Sequence, residues 1–182
     1  MKKLILSFGT LAVVATSCQS NARFKDEIAT VDSLQTRLSL YDVRMDSVDE
    51  SRLREISPEV NELYDYLVEN YPDSLDRSFW VTQVNGMVIV KKGADKYLSF
   101  HDKVQKEIDY TQEQLSSLRK SLTDEKLTEE DAEKYLSDER QAVSEIGMYV
   151  NKLQGPAQLA VVMWDTLHPR MRALADSIQA LP

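Results

Sequence analysis

Phe79-Trp80-Val81-Thr82-Gln83-Val84-Asn85-Gly86-Met87-Val88-Ile89-Val90 is the stretch on which the fold turns. Asn85-Gly86 between two β-branched runs is the strongest short hairpin signal a sequence carries. Against it, Trp80, Val84, Met87, Ala94, Tyr97, Phe100 and Val104 recur at helical spacing straight through the Asn-Gly pair. A lone two-stranded hairpin is also marginal unless something packs on it. The reading is a helix, kinked or broken around Gly86 or Gly93, with a β-hairpin over 79–90 as the alternative.

Downstream, Phe100, Val104, Ile108, Leu115, Leu118 and Leu122 extend the stripe and predict a helix over 94–122. Thr123 to Leu127 is a short polar turn. Thr128 then suits a helix cap, with Glu129, Glu130 and Asp131 complementing the positive end of the helix that follows. A connection this short between long helices implies antiparallel neighbours. Ala132, Tyr135, Val143, Ile146, Val150 and Leu153 are the expected inward face, and Gly155-Pro156 is read as a kink or a stop and restart. In the last block Ala157, Ala160, Trp164, Leu167, Met171, Leu174, Ile178 and Leu181 alternate steps of three and four, a heptad seam. Pro169 lies off that seam and is expected to bend the helix without ending it.

Upstream, Phe24, Ile28, Val31, Leu34, Leu38, Tyr41, Met45 and Val48 form one apolar stripe and predict a helix over 22–50. Ser57-Pro58-Glu59 reads as a new start, with Ser57 as cap and Pro58 in the first helical position. Val60, Leu63 and Leu67 face inward from that helix. Tyr71-Pro72 ends it, because the proline ring disfavours helical geometry at the preceding residue. The expected fold is all-α: an elongated, mostly antiparallel helical bundle whose centre is a coiled-coil-like hairpin of 94–122 against 128–153. Only 5 glycines and 5 prolines occur in 182 residues, which suits long helices and not a sandwich or barrel.

The N-terminus has a different character. Lys2 and Lys3 precede an apolar run from Leu4 to Ala15, and small residues then lead to Cys18, the sole cysteine. A run of about a dozen residues, interrupted by Ser7, Gly9 and Thr10, falls short of the roughly twenty apolar residues that span a bilayer but suits the core of a secretory signal. The segment resembles a bacterial lipoprotein signal peptide with its lipobox, Ala15-Thr16-Ser17-Cys18. The resemblance implies that residues 1–17 are removed and that Cys18 is the lipidation site. The membrane is then a partner through the acyl chains, and residues 18–182 form a single helical domain. Two or three acyl chains anchor far more firmly than one, at ~0.8 kcal/mol per buried methylene. Gln19 and Ser20 offer no aspartate after the cysteine. That resembles the outer-membrane default, on the periplasmic face, with the cell surface as the alternative.

Loss of the two signal lysines leaves 20 of the 22 basic residues against 30 acidic ones, a net charge near −10. Such a surface repels polyanions, so nucleic acid is not an expected partner. With Cys18 acylated, no thiol remains for disulfides, zinc-thiolate sites or nucleophilic catalysis.

Chemistry-bearing patterns are sparse. Asp165 and His168 share a helix face and could ligate a metal, but a di-iron bundle needs a second such pair. His101 has Leu98 in the matching position. The pair is read as a surface contact, and no metal, cofactor or catalytic residue is assigned. There is no Gly-x-Ser-x-Gly elbow and no glycine-rich phosphate loop. Trp80 and Trp164 are read as core. Tyr64, Tyr66 and Tyr71 cannot all face one core from a short helix, so part of this group is the expected contact surface. The resulting expectation is a lipid-anchored structural or protein-interaction component of the bacterial envelope, not an enzyme, with an as yet unidentified protein partner. The alternatives are a periplasmic ligand-binding or chaperone-like bundle, and a metal-dependent enzyme resting on Asp165 and His168.

Overall fold

The computed structural model describes residues 23–71 and 77–180. The signal segment 1–17, Cys18, Pro72 and Leu181 lie outside the described residues. Among the described residues four helices follow in order: α1 (Lys25–Asp46), α2 (Glu50–Asn70), α3 (Arg77–Thr123) and α4 (Glu129–Gln179). No strand occurs among the described residues, and the fold is an all-α helical bundle. The Phe79–Val90 stretch lies wholly inside α3, which runs unbroken for 47 residues. Gly86 and Gly93 are both buried against α4 and mark close helix approach, not a turn.

α3 and α4 form an antiparallel hairpin; α4 has 51 residues, about 76 Å at ~1.5 Å per residue. Its turn is built by local chemistry. Glu125 takes a left-handed backbone conformation (φ 53°), and the Lys126 N–H donates back to the Ser121 carbonyl at 3.0 Å, which closes the C-terminus of α3. The Thr128 hydroxyl accepts from the Asp131 N–H at 3.1 Å and opens α4, as the sequence indicated.

α1 and α2 pack along this hairpin end to end and not on each other. Their polar partners fix the register. On α3, Asp32 meets Arg119 at 2.6 Å, Gln35 meets Ser116 at 3.1 Å, Asp42 meets Gln105 at 2.6 Å and Ser57 meets Asp95 at 2.6 Å. Rising numbers on α1 and α2 meet falling numbers on α3, so the first two helices run antiparallel to α3 and parallel to α4. The molecule is a three-stranded rod whose first strand is broken at Ser47–Asp49. Exposed pairs such as Arg119–Asp32 set register more than they stabilise.

Stability comes from apolar seams at heptad spacing. Leu53, Ile56, Val60, Leu63 and Leu67 of α2 are buried, as are Met87, Val90, Ala94 and Tyr97 of α3 and Trp164 and Met171 of α4. Each such aliphatic side chain contributes roughly 1.5–3 kcal/mol.

Several sequence expectations need correction. α1 stops at Asp46, short of residue 50, because the chain breaks for a new cap: the Asp49 carboxylate accepts from the Arg52 N–H at 2.9 Å. That hydrogen bond, with a second from Ser51, holds the Asp49 carboxyl below its ordinary 3.8. α2 therefore begins at Glu50 and not at Ser57, and Pro58 is interior. Gly155-Pro156 does not interrupt α4 either. The residue before a proline is normally disfavoured in helical geometry by a clash with its Cβ; Ser57 and His168 stay helical before Pro58 and Pro169 in spite of it, and Gly155, with no Cβ, meets the least hindrance. Pro58, Pro156 and Pro169 are all exposed, so each helix carbonyl they leave without a donor stands on the solvent side. Phe100 and Tyr135, expected in the core, are 44% and 43% exposed.

Candidate interaction trough

The buried face of α4 runs Ala132, Leu136, Glu139, Val143, Ile146, Val150, Leu153, Ala157, Ala160 and Trp164. The steps are four, three, four, three throughout, and Glu139 occupies a position where every neighbour on the seam is apolar. Only 9% of it is exposed, and its Oε2 is buried without a hydrogen-bond partner. Burial, aided by the nearby Asp138 charge, pushes the Glu139 carboxyl above its ordinary 4.5. An unpaired buried carboxylate costs stability. Thr111 is the other buried polar side chain among the described residues, and it lies on the facing helix α3.

Glu139 lines an open hollow of about 410 Å³ between α3 and α4. Tyr110 and Tyr135 flank it, 58% and 43% exposed. The Gln114 amide donates to the Tyr110 hydroxyl at 2.7 Å and holds that ring in place. Leu118 and Leu127 supply an apolar floor, and Glu113 adds a second carboxylate. A neighbouring hollow of about 260 Å³ continues along the same stripes of α3 and α4, lined by Phe100, Thr111 and Tyr149 with Glu107, Glu145 and Lys103. Together they make a trough rimmed by aromatic rings and dominated by carboxylates. The two aromatics expected in the core from sequence, Phe100 and Tyr135, are part of its rim.

The sequence-derived candidates lie elsewhere. Asp165 pairs with Arg52 of α2 at 3.1 Å. His168 Nε2 stands 2.7 Å from Glu59 Oε1, with Arg172 3.7 Å from the same oxygen. Asp165 and His168 thus turn to different partners on α2. His101 lies against Glu50 at 3.4 Å and Asp102 at 3.1 Å. Among the described residues no three His, Cys, Asp or Glu side chains converge as a metal site would require. Tyr64, Tyr66 and Tyr71 are all half-buried against the core, and Tyr71 stacks on Trp80 at 4.2 Å between ring centroids. They pack against the core near the C-terminal end of α2 and remain partly exposed. Trp164 is fully buried, as expected, whereas Trp80 is only partly so.

Among the described residues no helix is long and apolar enough to cross a membrane. Comparison with known protein families, with curated proteins and with solved structures finds no match. The class defined by fold and surface is an all-α helical rod with an acidic, aromatic-rimmed trough.

Proposed function

We propose that this protein is a lipid-anchored interaction rod of the bacterial cell envelope, held by acyl chains on Cys18 and presenting the α3–α4 trough to a protein partner. The trough is the observation that carries the interaction reading: exposed aromatic rings around a partly apolar groove are the usual material of a contact surface.

The anchor adds an orientation. Arg23, just before α1, pairs with Glu129 at the start of α4 at 3.4 Å. Arg23 follows Cys18 by five positions, a reach of at most about 18 Å. An anchor at Cys18 would therefore hold the end of the rod that carries the α3–α4 turn near the headgroups. The far end of α3, at Arg77, would stand ~70 Å away along a helix rising ~1.5 Å per residue. The compartment proposed is the periplasmic face of the outer membrane. Nothing in the reading requires catalysis.

Photo-crosslinking in intact cells tests it, with the reactive group at Tyr135 in the trough and at Leu40, an exposed residue of α1, as control. A discrete adduct from Tyr135 alone supports the reading, provided deletion of the protein disturbs the complex that contains the adduct partner. Identical adducts from both positions, or a complex indifferent to deletion, would sink it.

A further inference from the structure

Glu139 is a carboxylate set into a seam of aliphatic side chains, and it faces a hollow that none of the chain's described cations lines. We propose that this hollow binds an alkylammonium group, the head of a lysine side chain or of a free alkyl amine. The inference rests on reading the trough as a contact surface and names the chemistry it accepts.

Four features select this ligand. Glu139 contributes to the lining a carboxylate whose buried Oε2 has no partner among the described residues, and a charge-assisted hydrogen bond to that carboxylate from a cationic donor offsets the cost of burying it. Glu113 and Glu139 are the charged groups of the lining, so anions are repelled. The Tyr110 and Tyr135 rings stand at the rim, where aromatic faces attract a cation. Leu118 and Leu127 offer apolar surface to the methylene stem behind the head. A compact ammonium suits one recessed oxygen better than a guanidinium, whose flat fork matches a carboxylate presenting both oxygens. The lining lacks the ring of oxygen ligands that a divalent ion demands.

The test is calorimetric titration of the full-length protein in detergent. The probes are a short lysine-containing peptide with blocked ends, its ε-acetylated form, and 1,5-diaminopentane. The expected result is saturable binding of an amine probe, lost on acetylation. Glu139→Gln, which keeps shape and removes charge, should weaken binding by about tenfold or more. Tyr135→Ala, on the exposed rim, should weaken it less and leave the circular dichroism unchanged. Binding of the diamine as well as the peptide assigns the site to free amines; binding of the peptide alone assigns it to a protein lysine. No saturable binding of either amine, or equal affinity in Glu139→Gln, overturns the proposal. That failure is separable from failure of the interaction reading, because the crosslink from Tyr135 does not depend on an ammonium ligand.

Discussion

Gly93 of α3 lies so close to α4 that a Cβ built on it would stand 2.5 Å from the Pro156 carbonyl oxygen and 3.0 Å from Ala160 Cβ. The obstacle is backbone, which cannot rotate away as a side-chain tip can. The two long helices approach closely where the sequence places Gly93 on one and the small Ala160 on the other.

Gly93→Ala should therefore destabilise the rod although alanine is the better helix former. Intrinsic propensity favours alanine by about 1 kcal/mol, and overpacking a tight contact costs roughly 1–3 kcal/mol. Thermal unfolding followed by circular dichroism decides the sign. A melting temperature at or above that of the wild type would mean the helices separate freely here.

Tyr97 donates its hydroxyl to the Met45 carbonyl at 2.9 Å, tying α3 to the last turn of α1 beside the break. Tyr97→Phe should cost about 1 kcal/mol, read from urea unfolding. Burial, with the charges of Glu50 and Asp46, pushes the Tyr97 phenol up to about 12 from 10.0. The folded state keeps this proton where the unfolded chain loses it. The corresponding stability is fully present below pH 10 and is lost as pH rises toward 12. Tyr97→Phe should flatten that alkaline decline, and an unchanged slope would assign it to other groups.

Glu139→Leu should complete the α4 seam and raise stability at neutral pH by about 1–3 kcal/mol. The raised carboxyl gives the pH dependence its sign. The folded state holds the proton above 4.5, where the unfolded chain releases it. Wild-type stability therefore falls as pH rises from the ordinary glutamate range through the raised value. The advantage of leucine should shrink as the solution is acidified below that range. A destabilised Glu139→Leu would show that the carboxylate has a partner in solution.

A flexible tether of about twenty residues inserted after Cys18 should leave the protein membrane-bound but weaken the crosslink from Tyr135. A short connection fixes the height and tilt of the trough above the headgroups, and lengthening it lowers the effective concentration at a membrane-held partner. Undiminished crosslinking would reduce Cys18 to an address.

The helical seams were legible in the sequence because they rest on spacing alone: Val31, Leu34, Leu38 and Met45, Val60 to Leu67, and Ala157, Ala160, Trp164, Leu167, Met171 and Ile178 are buried as their periodicity predicts, while Tyr41 and Leu174 are partly so. The boundary between α1 and α2 was not, because Ser57-Pro58-Glu59 carries better starting chemistry than Asp49-Glu50. The usable signal was a step of five from Val48 to Leu53 in a run of threes and fours. Glu139 was missed for a related reason. Only its place in the unbroken series from Leu136 to Val143 marks it as inward, and a charged residue is discounted when apolar stripes are traced. Tyr135 took its place in the reading and proved to be rim. The trough itself depends on which flank of the hairpin α1 leaves uncovered, a property of three-helix packing that no single stripe encodes.

The most direct test of the central claim, a rod held at Cys18 by the end that carries the α3–α4 turn, is depth-dependent fluorescence quenching from the bilayer. Lys126→Cys and Arg77→Cys would each be labelled in protein purified from its own membranes and reconstituted in vesicles. A headgroup quencher should quench strongly at residue 126 and not at residue 77, ~70 Å away along α3. Equal quenching at both positions, the reverse pattern, or protein that does not stay with the vesicles would contradict it.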